Sequence, residues 1–219
     1  MVNVIGLGYI GLPTALMLAS HGVEVVGTDY NKELVESLNA GVPTFKEDGL
    51  DELFKNAVDA GIKFTNNYQH TDIYIVAVPT PYNKFSKKVD ACYVKAAVND
   101  VLDVCNAGAT IIVESTVSPG TIDKEVRPLI AERGFITGKD VHLVHAPERI
   151  LPGNMIYELI NNDRTIGADE PKVAVRVRDI YASFCKGEIV LTDIRTAEMT
   201  KVVENTFRAV NIAFANELS

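Results

Sequence analysis

The apolar run Val2, Asn3, Val4, Ile5 leads directly into Gly6-Leu7-Gly8-Tyr9-Ile10-Gly11, and a helical pattern opens inside that loop. This spacing constrains the fold more than any other feature. Gly6 permits a tight turn, Gly8 lets the backbone come close to a bound group, and Gly11 lets the helix lie against the strand. The start of the helix adds free N–H groups and a partial positive charge, which together suit an anion such as a pyrophosphate. Such a glycine loop is weak on its own, because turns use glycine everywhere. Here strand, glycines, helix, a second strand over 23–28 and the acid Asp29 follow one another in register, and that combination is specific.

Asp29 stands where a carboxylate accepts both hydroxyls of an adenosine ribose and repels a 2′-phosphate. No Arg follows it directly, so the expected cofactor is NAD rather than NADP. Apolar runs alternate with helical segments along the remainder of the chain. Strands are predicted over 2–5, 23–28, 62–65, 73–78, 110–114, 141–145, 164–166 and 188–191. Helices are predicted over 10–21, 32–38, 48–60, 91–106, 120–133, 171–184 and from about 195 onward. The fold class is α/β, a Rossmann-type doubly wound parallel sheet over 1–194, ending in the start of a long helix over 195–219.

Composition narrows the partners. The 219 residues carry 21 Lys and Arg against 29 Asp and Glu, a formal charge of −8 with no basic stripe, so nucleic acid is not an expected partner. No apolar stretch reaches the ~20 residues of a membrane span. The N-terminus enters a strand with no basic leader, and the expected location is the cytoplasm. Cys92, Cys105 and Cys185 are odd in number and widely spaced, which suits neither a disulfide framework nor a metal site; they are expected to be buried thiols.

Ligands of an open α/β sheet bind beyond the carboxyl ends of its strands. Three polar loops stand there: Pro79-Thr80-Pro81, Ser115-Thr116 and Ala146-Pro147-Glu148-Arg149. Each alone is ordinary turn chemistry. His145 is expected to be a hydrogen-bonded histidine at a strand end. The final helical segment has neither Gly nor Pro to stop it and its apolar period still runs at Ser219, so the chain is expected to be part of a longer protein.

The segments GLGYIGLPTA, VPTP, ESTVSPGT, HAPERILPG and AEMTKVVENTFRAVNIAFANEL, spread over nearly the whole chain, jointly resemble the UDP-glucose/GDP-mannose dehydrogenases. PERILPGNMIYELINNDRTIG and the final segment are most similar to the branch that oxidises UDP-N-acetyl-D-mannosamine. The resemblance implies two successive NAD-dependent oxidations of the sugar C6 hydroxyl to a carboxylate, with a cysteine thiolate holding the intermediate as a thioester. It implies a cofactor site of Gly6, Gly8, Tyr9, Ile10, Gly11, Asp29, Pro79, Thr80, Ser115 and Thr116. It also implies that Thr116 stands near the reacting water, that Glu148 is a base or water-orienting group, and that Arg149 and Ile150 form a substrate loop. Lys201 and Asn205 would face the reacting C6.

Independently of the resemblance, positions four apart share one helix face. A Lys ammonium there can stabilise an oxyanion and an Asn can donate a second hydrogen bond. Without the resemblance, a solvated Lys and an outer-face Asn are the plainer expectation.

The chain is expected to depart from the family in two respects: none of its cysteines lies in a glycine-rich stretch like the one that carries the family nucleophile, and the segment that would bind UDP is expected to be missing. It is therefore expected to bind NAD without turnover, and to form a homodimer through the apolar positions of the last helix, with the UDP-sugar bound jointly with the missing half. Two alternatives stay open from sequence. One is a β-hydroxyacid dehydrogenase, which also places a Lys and an Asn four apart on a late helix. The other is a non-catalytic NAD-sensing domain.

Overall fold

A computed structural model describes residues 1–85, 87–151 and 153–218. Pro152, within the PERILPG segment, and Ser219 of the final segment lie outside the described residues. An eight-stranded sheet is built from β1 (Val2–Ile5), β2 (Val25–Thr28), β3 (Lys63–Thr65), β4 (Ile73–Val76), β7 (Ala109–Val113), β8 (Val141–His145), β9 (Arg164–Ala168) and β10 (Ile189–Thr192), in the order β10-β9-β8-β7-β4-β1-β2-β3. A small antiparallel pair, β5 (Tyr82–Asn83) and β6 (Lys88–Val89), stands apart from it.

Side chains of the central strands alternate between two cores, as the pleat requires. Ile73, Ile75, Ile112 and Val144 face α1 (Gly11–Ser20), α3 (Leu50–Asp59), α6 (Met155–Asn161) and α7 (Pro171–Tyr181); Tyr74, Val76, Ile111 and Leu143 face α4 (Cys92–Val104) and α5 (Arg127–Glu132). The remaining helices are α2 (Lys32–Asn39), beside β3, and α8 (Ile194–Glu217). α1 is buried almost along its whole length, which explains why its sequence is apolar all round rather than on one stripe.

The expectation of a parallel sheet needs one correction. β9 pairs antiparallel with β8, through Val144 with Ala168 and His145 with Gly167, while β10 runs parallel to β9. The connection from β8 holds only the 7-residue α6, and β9 starts at the edge where β8 ended. Extending that register by three residues sets Arg164, the first residue of β9, across from Glu148. The reversal therefore brings a cation to the carboxyl edge of the six parallel strands.

Other departures are local. The helix expected over 120–133 is one wider π-type turn, Ile122–Val126, followed by α5. The sequence expectations contain neither α6 nor the hairpin β5–β6. Of the cysteines expected to be buried, only Cys185 is; Cys92 is exposed at the first turn of α4 and Cys105 is half-buried.

α8 is anchored over its first half, where Glu204 also pairs with Arg149. Asp193 caps it by accepting from the Thr196 N–H at 2.9 Å, and the fully buried Glu198 accepts from the Gly120 N–H at 2.5 Å and the Ile122 N–H at 2.9 Å. A Cβ on Gly167 would lie 2.7 Å from that of Ala197, so glycine in β9 is what lets α8 approach. From Asn205 onward the helix is exposed, with Phe207, Val210, Ile212 and Phe214 facing solvent. Among the described residues no helix is long and apolar enough to cross a membrane.

Candidate functional site

β1 ends at Ile5, and Gly6 makes the turn in the left-handed region at φ +88°, with a would-be Cβ 2.7 Å from the Ala77 carbonyl oxygen. A Cβ on Gly11 would run into the Gly6 carbonyl oxygen, so no other residue lets α1 start so near the strand. Gly8 differs from both: a Cβ there meets nothing within 4 Å and would project into open space. The loop is thus held tight at both ends, with a bare backbone cradle in the middle.

That cradle opens on a cleft of about 450 Å³. Its walls are the glycine loop (Gly6, Gly8, Tyr9, Ile10), the end of β2 (Asp29 to Asn31), the loop after β4 (Ala77 to Thr80), the loop after β7 (Glu114 to Thr116), Glu148 and Ile150 after β8, and Lys201 of α8. The Asp29 carboxylate is nearly buried and fixed, accepting from the Leu7 N–H at 2.8 Å and the Asn31 N–H at 2.9 Å. The open cradle and the fixed carboxylate suit the pyrophosphate and the adenosine ribose of a dinucleotide. A neighbouring recess of about 260 Å³, lined by Tyr68, Tyr93 and Ala97, continues from Asp29.

Behind the far end of the cleft lies a buried ionic cluster that the sequence expectations missed. The Arg164 guanidinium, 3 % exposed, pairs with Glu148 through Nη2 and with Glu114 through Nη1 at 3.4 Å. It lies 4.3 Å from the centre of the Tyr181 ring. Glu114 also accepts from the Thr14 hydroxyl at 3.1 Å and the Tyr181 hydroxyl at 3.2 Å. Two carboxylates thus share one cation away from water. Burial pushes the Glu114 carboxyl up to about 7, against the opposing pull of Arg164. Glu148 uses its second oxygen to accept from the Arg149 N–H at 2.6 Å. The signal available in sequence was a charge at the end or start of an apolar strand, Glu114 and Arg164, and a lone Thr14 in an apolar helix.

The other expected residues separate by position. Lys201 lines the cleft, and desolvation holds its ammonium below the ordinary lysine value against the upward pull of Glu148 and Glu204. Asn205 does not line it; it faces an adjoining concavity with Tyr82, Val202 and Thr206. Arg149 turns away as well, pairing with Glu204 and donating to the Asp163 carbonyl at 3.0 Å. The Thr80 hydroxyl donates to the Thr116 carbonyl at 2.8 Å and ties two cleft loops together. The Ser115 hydroxyl is committed to the Val78 carbonyl at 2.7 Å, so its part is to shape the loop. Pro79 lines the wall, and Gly11 serves through packing.

His145 corrects an expectation: it is fully buried, but neither ring nitrogen has a hydrogen-bond partner among the described residues. Val113, opposite it on β7, is not met at hydrogen-bonding geometry. Burial holds the imidazole neutral, with its pKa down to about 4. No group of three or more His, Cys, Asp or Glu among the described residues could hold a metal ion.

Comparison with known proteins gives the same placement. Residues 1–185 match the model of the UDP-glucose/GDP-mannose dehydrogenase family NAD binding domain, and 195–219 match the model of the family's central domain. The UDP-N-acetyl-D-mannosamine dehydrogenase of Methanococcus aeolicus is 44% identical over 221 residues, which cover 100% of this chain and 50% of that protein. The solved structure of UDP-N-acetyl-mannosamine dehydrogenase from Staphylococcus aureus superposes with a TM-score of 0.90 at 44% identity, over 99% of this chain and 53% of that one. The corresponding enzyme structure from Pyrococcus horikoshii gives 0.92 at 42% identity, over 99% and 53%. The chain spans about half the length of the curated relatives it matches. By fold, by cleft and by these matches, the chain belongs to the UDP-glucose/GDP-mannose dehydrogenase family and carries its NAD-binding domain.

Proposed function

We propose that this chain is the NAD-binding half of an enzyme that oxidises C6 of UDP-N-acetyl-D-mannosamine from alcohol to carboxylate in two successive steps. The observation that carries the proposal is the shared cleft, with Gly8 and Asp29 at one end and Glu148, Ile150 and Lys201 at the other. NAD, when bound there, supplies the hydride acceptor. The backbone at Gly8, Tyr9 and Ile10 holds its phosphates, Asp29 its ribose, and the Pro79-Thr80 and Ser115-Thr116 loops the remainder of the cofactor.

Lys201 stabilises negative charge on the reacting oxygen, because a half-desolvated ammonium at a cleft wall acts far more strongly than one in water. Glu148, pinned on one oxygen by Arg164 and on the other by the Arg149 N–H, is a fixed acceptor that orients water with Thr116. Ile150 borders the sugar from the cleft wall, while Arg149, held by Glu204, and Asn205 stand on the neighbouring faces of that loop and of α8.

Among the described residues no cysteine lines the cleft. The nucleophilic thiolate and the uridine-binding residues are assigned to the half of the relatives' length that this chain does not cover. The exposed apolar face of α8 pairs two copies of the chain, and the cytoplasm is the proposed location, with surface polysaccharide synthesis the proposed use.

The test is the stoichiometry of the whole protein. Two NADH formed per UDP-N-acetyl-D-mannosamine, with UDP-glucose oxidised far more slowly, is the expected result; one NADH per sugar, or a preference for UDP-glucose, contradicts it. Sedimentation should find this chain dimeric, and a monodisperse monomer would count against the pairing of α8.

A further inference from the structure

Three segments far apart in sequence meet at the rim of the cleft, and the residue that joins them has no part in the function proposed above. Tyr9, between the second and third glycines of the loop, donates its hydroxyl to Glu47 Oε1 at 2.5 Å. Its ring packs on Phe45, with centroids 5.1 Å apart. Both oxygens of Glu47 also accept from the Gly153 N–H, at 3.1 and 3.0 Å. Gly153 lies three positions beyond Ile150, which lines the same cleft as Tyr9. Leu151, next to Ile150, is held separately, its N–H donating to Glu158 at 2.6 Å.

We infer that Glu47 is a positioning residue: through Tyr9 on one side and Gly153 on the other it couples the phosphate-binding loop to the loop that borders the substrate. The inference rests on the proposal that Gly8, Tyr9 and Ile10 hold the NAD phosphates. A bound phosphate fixes the backbone at Tyr9, the phenol then fixes Glu47, and Glu47 fixes the backbone at Gly153. Gly153 sits in the left-handed region at φ +90°, a conformation that glycine takes without a side-chain clash. By linkage the coupling runs both ways, so a substrate that fixes Gly153 also tightens the cofactor loop. The glutamate suits the task because one carboxylate can accept from a phenol and an amide together.

The experiment is amide hydrogen exchange on this chain, with and without NAD, for the natural sequence and for Glu47→Ala and Glu47→Gln. In the natural sequence NAD should slow exchange over residues 6–11 and slow the Gly153 amide by about ten-fold or more, the range of an ordinary coupling. In Glu47→Ala the slowing over 6–11 should persist, while that at Gly153 falls below about two-fold. Glu47→Gln, which keeps one acceptor oxygen, should retain part of it. Equal cofactor-dependent protection at Gly153 in all three proteins overturns the inference. If NAD protects nothing over 6–11 in the natural sequence, the cofactor proposal fails instead. The comparison without NAD then decides the Glu47 contact: Gly153 must exchange faster in Glu47→Ala, and an unchanged rate refutes it.

Discussion

Replacing Arg164 with Met keeps most of the side-chain volume and removes the one cation that the buried carboxylates Glu114 and Glu148 share. Breaking a buried ion pair by deleting one partner costs about 3–5 kcal/mol, because the remaining charge is left uncompensated. Two features set where in that range the loss falls. The guanidinium also packs at 4.3 Å on Tyr181 and 5.6 Å on Phe184, which the Met chain replaces in part. Against this, Glu114 already takes a proton readily, its carboxyl being up at about 7, and losing Arg164 raises it further. The variant can therefore shed one charge by protonation at the acidic end and cannot at the alkaline end. The expected loss is about 3 kcal/mol near pH 7 and grows with pH. For a chain of this size 3 kcal/mol corresponds to roughly 6–12 °C in melting temperature. Urea titrations at about pH 6 and about pH 8.5 measure it, and the gap between natural chain and variant should be larger at the higher pH by at least about 1 kcal/mol. A loss under about 1 kcal/mol at both, or one that shrinks as pH rises, refutes the account of the cluster.

Glu114 and His145 should impose opposed pH dependences on stability. Between its ordinary value of 4.5 and about 7, folded Glu114 keeps a proton that the unfolded chain releases, so stability falls as pH rises through that window. His145 is neutral in the fold down to about 4 but gains a proton below 6.5 when unfolded, so its contribution is lost as pH falls. The two slopes oppose each other between 4.5 and 6.5. Urea midpoints of Glu114→Gln should therefore rise with pH across that span and those of His145→Asn should fall; flat profiles in both variants contradict the assignment. Glu198→Ala strips the acceptor from the Gly120 and Ile122 amides and should cost about 1–3 kcal/mol, with faster exchange of both amides. Unchanged exchange there would show that α8 is anchored by other contacts.

What was legible in the sequence is what a single residue type decides. Only glycine can take the φ of Gly6 or the packing distance of Gly11, and only a carboxylate at the end of β2 does what Asp29 does, so the cofactor end of the cleft could be read directly. The far end depends on a reversal of chain direction. Arg164 meets Glu148 because β9 runs antiparallel to β8, and the connection between them holds only α6, 7 residues long. A helix that short has too few turns to show a period, and nothing local separates it from a loop. The hairpin at Tyr82–Asn83 and Lys88–Val89 has strands of two residues each and is lost for the same reason. Lys201 and Asn205 show the limit of spacing arguments: four positions apart on α8, they line different concavities, because a helix edge at the rim of a cleft divides its own face. Cys92 defeats the rule that thiols are buried by standing in the first turn of α4, where the helix emerges into solvent.

Calorimetric titration of this chain with NAD and then with NADP tests the central claim, that the cleft formed by Gly8 and Asp29 is a cofactor site complete enough to act without the rest of the protein. NAD should bind, NADP should bind at least about ten-fold more weakly because its 2′-phosphate meets the Asp29 carboxylate, and Asp29→Ala should narrow that gap. NADP binding as tightly as NAD, or no binding of either to the folded chain, would contradict it.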